Sequence, residues 1–386
     1  MTTASGGGFE LPPLALYVHI PWCVKKCPYC DFNSHAAGPT LPEEEYVDAL
    51  LADLDADLAQ VHNRPLSSIF FGGGTPSLFS AKALGRLLEG VERRVAFTPD
   101  IEITLEANPG TFEQAKFRDY RSLGINRLSI GVQSFQPPKL IALGRIHDGD
   151  EAVRAADMAR AAGFDNFNLD LMHGLPDQSI EDALSDLRTA IAQGPTHLSW
   201  YQLTVEPNTV FWNQPPVMPE DDILWDIQEA GQALLAAEGY AQYEVSAYAQ
   251  AGKAARHNLN YWTFGDFLGI GAGAHAKLSQ PDGRISRSWK TRLPKDYLDR
   301  SKRFSAGERV LGADELPFEF LMNVLRLTDG VASELFTQRT GLPLSQLAAA
   351  RIEAQKRGLL HSDPTRLCAT REGQLFLNDL LQYFLP

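Results

Sequence analysis

The sequence predicts an α/β fold: a partial (β/α)6 barrel of the TIM type, then an α+β extension, then a small helical, winged-helix-like C-terminal domain. Three observations predict it. Apolar runs of strand length alternate with amphipathic stretches of helix length from Leu14 to about Leu203, the rhythm of a parallel sheet or barrel. Polar, Gly-rich and unusual residues gather where the strands end, as they do on the C-terminal rim of parallel barrels. From about Pro215 the alternation stops, and from Glu315 onward the pattern is that of amphipathic helices. The expected units are a disordered start (residues 1–13), the barrel (14–214), the extension (215–310) and the helical domain (311–386).

Each element has a local cause. Leu14 to Ile20 is an apolar run bounded by Pro13 and Pro21, and reads as the first strand. Pro42 followed by Glu43 to Glu45 suits the first turn of a helix, where proline lacks no needed donor and carboxylates meet the positive end of the dipole; that helix is expected to run to about His62. Ser67 to Phe71 is a strand ending in Gly72-Gly73-Gly74-Thr75-Pro76. Helices are expected over 81–94, 112–123, 151–162 and 180–192, and strands over 101–107, 127–132, 167–172 and 197–203. Six strands rather than eight imply an open barrel, whose gap admits a larger substrate. In the extension a helix is expected over 222–238 and a short strand over 243–246, ahead of a Gly-rich stretch from Gly265 to His275. The last domain reads as helices over 317–327, 333–339, 344–357 and 374–383, with a hairpin over 359–370.

The bulk composition excludes some functions. A formal net charge of -13 is a poor basis for general nucleic-acid binding, which needs a basic face, so no nucleic-acid partner is expected. No apolar run approaches the length of a membrane span, and the Gly-rich start lacks the basic-then-apolar order of a signal peptide. Clustered free thiols belong to a reducing compartment, so a cytoplasmic protein is expected. Cys368 stands alone and reads as a core residue.

Three of the four cysteines lie in one stretch, Cys23, Cys27 and Cys30, spaced C-x3-C-x2-C. Three thiols cannot all pair as disulfides. They can face one point if the loop curls, and Pro28 favours a curl by fixing its own φ. Thiolates are the preferred ligands of iron–sulfur clusters and of zinc. A structural zinc site wants four ligands, so zinc would need His19 or His35 to complete the set. Buried apolar thiols are the remaining reading. A four-iron cluster held by three cysteines keeps one iron open for a ligand, and the spacing favours that reading.

The motif C-x3-C-x2-C with an aromatic, Tyr29, before the last cysteine resembles the signature of the radical S-adenosylmethionine (radical SAM) enzymes. The resemblance implies a 4Fe-4S cluster on Cys23, Cys27 and Cys30, with S-adenosylmethionine as second cofactor. Gly72 to Pro76 alone is a tight turn without a Walker lysine; through the resemblance Gly73, Gly74 and Thr75 become contacts to the methionine amino group. Glu106, Gln133, Arg145 and Asp170 would each pass as surface residues or caps. In order and spacing they are similar to the residues that hold S-adenosylmethionine in the oxygen-independent coproporphyrinogen oxidase family, as are Tyr17 and Tyr29. The chemistry fits, since an arginine fork pairs with a carboxylate and acidic groups accept from ammonium and ribose hydroxyls.

This resemblance runs from Leu14 nearly to the end of the chain. Two features depart from the oxidase itself: Phe32 stands where the oxidase has a further cysteine, and about a dozen residues precede the first strand where the oxidase has a long segment. Both features, with the H-N-x-x-Y-W form of residues 257–262, resemble a haem-chaperone branch of the same group. That resemblance implies haem as third ligand, with His257, Tyr261 and Trp262 at it, and delivery to acceptor haemoproteins. A hydrogen-bonded structural residue is the other reading of His257. An electron donor is implied, and a homodimer is left open. The alternative function is the oxidase, decarboxylating two propionates; another radical enzyme is a weaker third. No catalytic residue is assigned, and cofactor cleavage is read as regulatory or vestigial.

Overall fold

The computed structural model describes residues 8–111 and 114–386. Residues 1–7 of the expected disordered start, and the first residues of the helix expected from Phe112, lie outside the described residues. Six parallel strands form the frame: β1 Leu14–Ile20, β2 Leu66–Gly73, β3 Phe97–Ala107, β4 Arg127–Gln133, β5 Phe167–His173 and β6 His197–Gln202. Between them run the helices α1 Glu43–Asp57, α2 Ala81–Glu92, α3 Gln114–Ser122, α4 Gly149–Ala161 and α5 Ile180–Ala192. Ends are set by caps: Ser80 accepts from Ala83 N, while Asp148 with Glu151 and Ser179 with Asp182 form capping boxes. The first helix stops five residues short of His62, passing into a 3-10 turn at Leu58–Gln60.

The sheet is larger than six strands. The extension contributes α6 Asp221–Ala237, the hairpin β7 Ala241–Glu244 and β8 Ala247–Ala249, α7 Arg256–Trp262, and strands β9 Asp266–Ile270, β10 His275–Ser279, β11 Ile285–Lys290 and β12 Ser305–Val310. Together they make one twelve-stranded sheet ordered β12-β11-β10-β9-β1-β2-β3-β4-β5-β6-β8-β7. The Gly-rich stretch from Gly265 therefore supplies a seventh parallel strand, β9, which pairs with β1 in the register Tyr17↔Gly269. The strand expected over 243–246 is a hairpin turning at Val245 and Ser246.

Side chains alternate across the frame. Leu16, Val18, Ile69, Phe71, Leu105, Leu128, Ile130, Leu169 and Leu198 point outward into a core shared with the helices. The opposite, concave face carries Tyr17, Phe70, Glu102, Glu106, Arg127, Ser129, Asp170 and Ser199, brought level by the register Glu106↔Ser129 and Gly131↔Asp170↔Ser199. Helix α7 lies across the lower part of this face. The His257 ring sits 4.3 Å from that of Phe70 and the Tyr261 ring 4.8 Å from that of Phe267.

The C-terminal helices are α8 Leu316–Val324, α9 Glu334–Thr340, α10 Ala348–Lys356, α11 Arg371–Leu375 and α12 Leu377–Gln382. Their core of Phe320, Phe336, Leu347 and Leu380 joins the extension through Phe264 and Ile285. The single helix expected over 374–383 breaks at Phe376, whose ψ of 46 leaves the helical region. Leu360 bridges Ala369, and Val331–Ala332 pairs with Arg366–Leu367, which makes the wing. Cys368 is buried there. Glu10 N donates to Gln338 O at 2.8 Å, so the segment just before β1 meets this domain.

Candidate functional site

The site lies at the strand ends. The loop after β1 carries the three cysteines. It is closed at its neck, where Trp22–Cys23 pairs with His35–Ala36, and turned inside, where Cys30 N donates to Cys27 O at 3.1 Å. Asn33 pins its far end, donating to Ala272 O at 2.9 Å and Arg292 O at 2.8 Å. The loop after β2 meets it directly: Gly74 N donates to Ile20 O and Thr75 N to Trp22 O, at 2.8 and 2.7 Å. That approach needs glycine. A Cβ on Gly74 would stand 2.5 Å from Trp22 O, and Gly73, at φ +112°, would place one 2.5 Å from the His19 ring.

One cavity of about 510 Å³ collects the result. Cys23, Cys27 and Cys30 line it with Tyr29, Gly73, Gly74, Thr75, Glu106, Gln133, Arg145, Asp170 and Trp262. So twelve of the fifteen site residues named from the sequence border one space. The other three, Tyr17, His257 and Tyr261, lie beneath it. Tyr17 stacks on Phe70 and meets His19 Nδ1 at 2.8 Å. His257 Nδ1 meets Glu102 Oε1 at 2.9 Å, and both His257 N and Arg256 N donate to the same carboxylate. Burial lowers His257, so at neutral pH the pair is a neutral imidazole donating to a carboxylate.

The electrostatics of the cavity are unbalanced. Burial, and Asp170 nearby, push Glu106 up to about 8, although Gly73 N donates to it at 3.3 Å. Burial raises Asp170 too, against hydrogen bonds from Asn168 at 2.8 Å and Ser129 at 3.1 Å. Across from them Arg145 donates to Asn108 Oδ1 at 2.6 Å, to Gly131 O at 2.5 Å and to Cys27 Sγ at 3.6 Å. Its Nε is buried with no hydrogen-bond partner among the described residues. Glu106, with no cation partner among the described residues, and an arginine with a spare donor suit a ligand carrying positive charge and a carboxylate.

The donor set also fits a cluster. Burial pushes the Cys23 and Cys30 thiols up, so a bound metal is what would hold them as thiolates. His19 does not complete a zinc site, since its ring nitrogens meet Tyr17 Oη at 2.8 Å and Asn33 O at 2.9 Å. His35 Nε2 meets Asn33 Oδ1 at 3.3 Å. Among the described residues, no three Cys, His, Asp or Glu side chains are close enough to hold a single metal ion.

Sequence reasoning assigned no role to Asn108, which joins Arg145 to Thr75 (2.9 Å), or to Tyr201, which donates to Gln133 Oε1 at 2.9 Å. Both sit at strand ends, and that position was the available signal. Lys25, Lys26, Phe32, Ser129, Ser199 and Asn258 also line the cavity. Among the described residues, no helix is long and apolar enough to cross a membrane.

Comparison with known proteins identifies the family. The Radical SAM superfamily matches residues 17–190, and the HemN C-terminal domain matches residues 311–376. The haem chaperone HemW of Escherichia coli strain K12 is 54% identical over 376 residues, covering 97% of this chain and 99% of that protein. HemW of Haemophilus influenzae is 51% identical, and that of Bacillus subtilis 32%, over 97% and 96% of this chain and 99% and 98% of theirs. Among solved structures, the radical SAM enzyme coproporphyrinogen III oxidase (HemN) of Escherichia coli superposes with a TM-score of 0.82. It shares 23% identity, covering 98% of this chain and 91% of that one, a likeness of fold.

Proposed function

This chain belongs to the HemW family within the radical SAM superfamily, and from that premise we propose that it binds haem and delivers it to acceptor haemoproteins. The observation that carries the proposal is the end-to-end match to haem chaperones at 54% identity. The cavity supports the cofactors that the superfamily implies.

Cys23, Cys27 and Cys30 would hold a 4Fe-4S cluster. Arg145 would take the methionine carboxylate of S-adenosylmethionine, and Gly73, Gly74 and Thr75 its amino group. Glu106 and Asp170 would accept from its ammonium and ribose hydroxyls, with Gln133, Tyr29 and Tyr17 close by. When bound, cluster and cofactor supply one-electron cleavage of a carbon–sulfur bond. The protein's own part is to orient the cofactor, neutralise its charges and exclude water. The chain would work in the cytoplasm, with an electron donor.

The haem assignment to His257, Tyr261 and Trp262 is part of the proposal, and their positions sort them. Trp262 borders the cavity, whereas His257 is engaged by Glu102 beneath it. Anaerobic reconstitution followed by coproporphyrinogen III, S-adenosylmethionine and reductant tests the function. Stoichiometric haem binding without protoporphyrinogen formation is expected. Protoporphyrinogen would overturn the chaperone reading in favour of the oxidase. Normal haem binding by His257→Ala would remove that residue as ligand while leaving the function standing.

A further inference from the structure

Beneath the cavity runs a chain of buried polar groups that the proposed function does not use. Asp170, Ser129, Ser199 and Asn258 line the cavity. Asn168, His197 and Tyr243 do not, yet they join them. Asn168 and His197 are each 1% exposed and lie side by side in the register of β5 and β6. Asn168 Nδ2 donates to Asp170 Oδ1 and to Ser129 Oγ, both at 2.8 Å. Asn168 Oδ1 meets His197 Nδ1 at 2.6 Å and accepts from Ser199 Oγ at 3.2 Å. His197 Nε2 meets Tyr243 Oη at 2.8 Å, and Asn258 Nδ2 donates to the same oxygen at 2.9 Å. The chain is continuous from strand β5 to helix α7.

The direction of every bond follows from the carboxylate end. Ser129 Oγ donates to Asp170 Oδ2 at 3.1 Å, so donors meet both carboxylate oxygens. An ionised carboxylate only accepts, which turns the Asn168 amide nitrogen to Asp170 and its oxygen to His197. His197 then carries its proton on Nδ1, and its Nε2 takes the hydroxyl proton of Tyr243, whose oxygen accepts from Asn258. Burial lowers His197 far below the usual histidine range, so the ring stays neutral. Both N–H groups and both lone pairs of the Asn168 amide are used. Asn168 cannot turn from Asp170 without stranding buried polar atoms, at about 1–3 kcal/mol each. Packing alone would be met by the branched aliphatic side chains that usually fill such barrels. We propose that His197 is a positioning residue. Through Asn168 it locks the Asp170 carboxylate in the orientation that accepts from the cofactor's ribose hydroxyls, and through Tyr243 and Asn258 it ties that orientation to helix α7. This rests on the reading of Asp170 as the ribose acceptor.

Isothermal titration of the reconstituted full-length chain with S-adenosylmethionine and with its dideoxyribose analogue tests this. Iron content is measured first for every variant. Asp170→Asn is expected to weaken S-adenosylmethionine at least about tenfold, the worth of a hydrogen bond to a charged group. His197→Leu is expected to weaken S-adenosylmethionine about fivefold or more, to leave the analogue within about twofold, and to add less than about twofold on top of Asp170→Asn. Tyr243→Phe removes one oxygen, and with it the proton that fixes the His197 tautomer, so it carries the test if His197→Leu fails to load iron. It is expected to weaken S-adenosylmethionine about threefold and to spare the analogue in the same way. If Asp170→Asn binds S-adenosylmethionine as wild type does, the reading of Asp170 fails and the role of His197 falls with it. If Asp170→Asn weakens binding and His197→Leu, or Tyr243→Phe in its place, does not, the role of His197 is overturned while the reading of Asp170 stands. If these variants weaken both ligands alike, or add fully to Asp170→Asn, the chain holds the fold rather than the carboxylate, and the proposal is equally overturned.

Discussion

Glu102 and Glu106 sit on one strand, on one face, four residues apart, and their surroundings are opposite. Burial works against the charge of Glu102, but His257 and Arg127, with the amide of Arg256, overcome it and hold the carboxyl down at about 2. Burial and Asp170 push Glu106 up to about 8. The lower carboxylate is finished business: it caps helix α7 and fixes His257. The upper one is left wanting a cation, in a cavity bordered by three thiols and an arginine with a spare donor. A buried acid matched by the protein reports architecture, and one left unmatched reports a ligand.

The sharpest break at the mouth is Cys27→Ser. Iron and sulfide retained after reconstitution should fall to less than about a tenth, while thermal unfolding of the apo chain stays within about 4 °C. Next is Glu106→Gln. Affinity for S-adenosylmethionine in the reconstituted protein, read by isothermal titration, should drop at least about thirtyfold, the consequence of removing a buried counter-charge. Its counterpart, Glu102→Gln, should cost about 3 kcal/mol of folding stability in denaturant titrations, because it removes the charge and turns an NH2 donor toward the N–H groups of helix α7 or His257 in place of one acceptor oxygen.

The smallest effect is in pH dependence, and the two residues differ in sign there as well. The raised Glu106 binds its proton more tightly folded than unfolded. Its contribution is complete below the ordinary glutamate range and lost as pH rises through about 8. The apo chain should therefore lose stability over that interval, and Glu106→Gln should raise the melting temperature at pH 8 by about 2 °C or more. The lowered Glu102 contributes above the ordinary glutamate range and loses its contribution only as pH falls through about 2. Glu102→Gln should therefore be destabilised equally at pH 6 and pH 8.

The same contrast explains what could be read from the sequence. The cluster loop and Gly72 to Thr75 are contiguous, so spacing and glycine content display them directly. The alternation of strand and helix set the six-strand frame because buried parallel strands are near-continuous apolar runs. Strand β9 escaped notice. Its partner β1 lies some 250 residues earlier, and Gly269 and Gly271 resemble a loop until one sees that a Cβ on either would meet backbone within 2.3 Å. Glu102 was given no role, and residues 257–262 were read only as the H-N-x-x-Y-W form, since each makes structural sense only against the other. Asn108 and Tyr201 act through partners 37 and 68 residues away, so their strand-end position marks them without showing what they hold.

The proposed function requires three sulfurs to share one cube of iron. Anaerobically purified chain, reconstituted with iron and sulfide and analysed for metal, decides it. About four irons per chain, with an electron paramagnetic resonance signal of the reduced cluster that changes on adding S-adenosylmethionine, is the predicted result. One zinc per chain, or no metal, would contradict it.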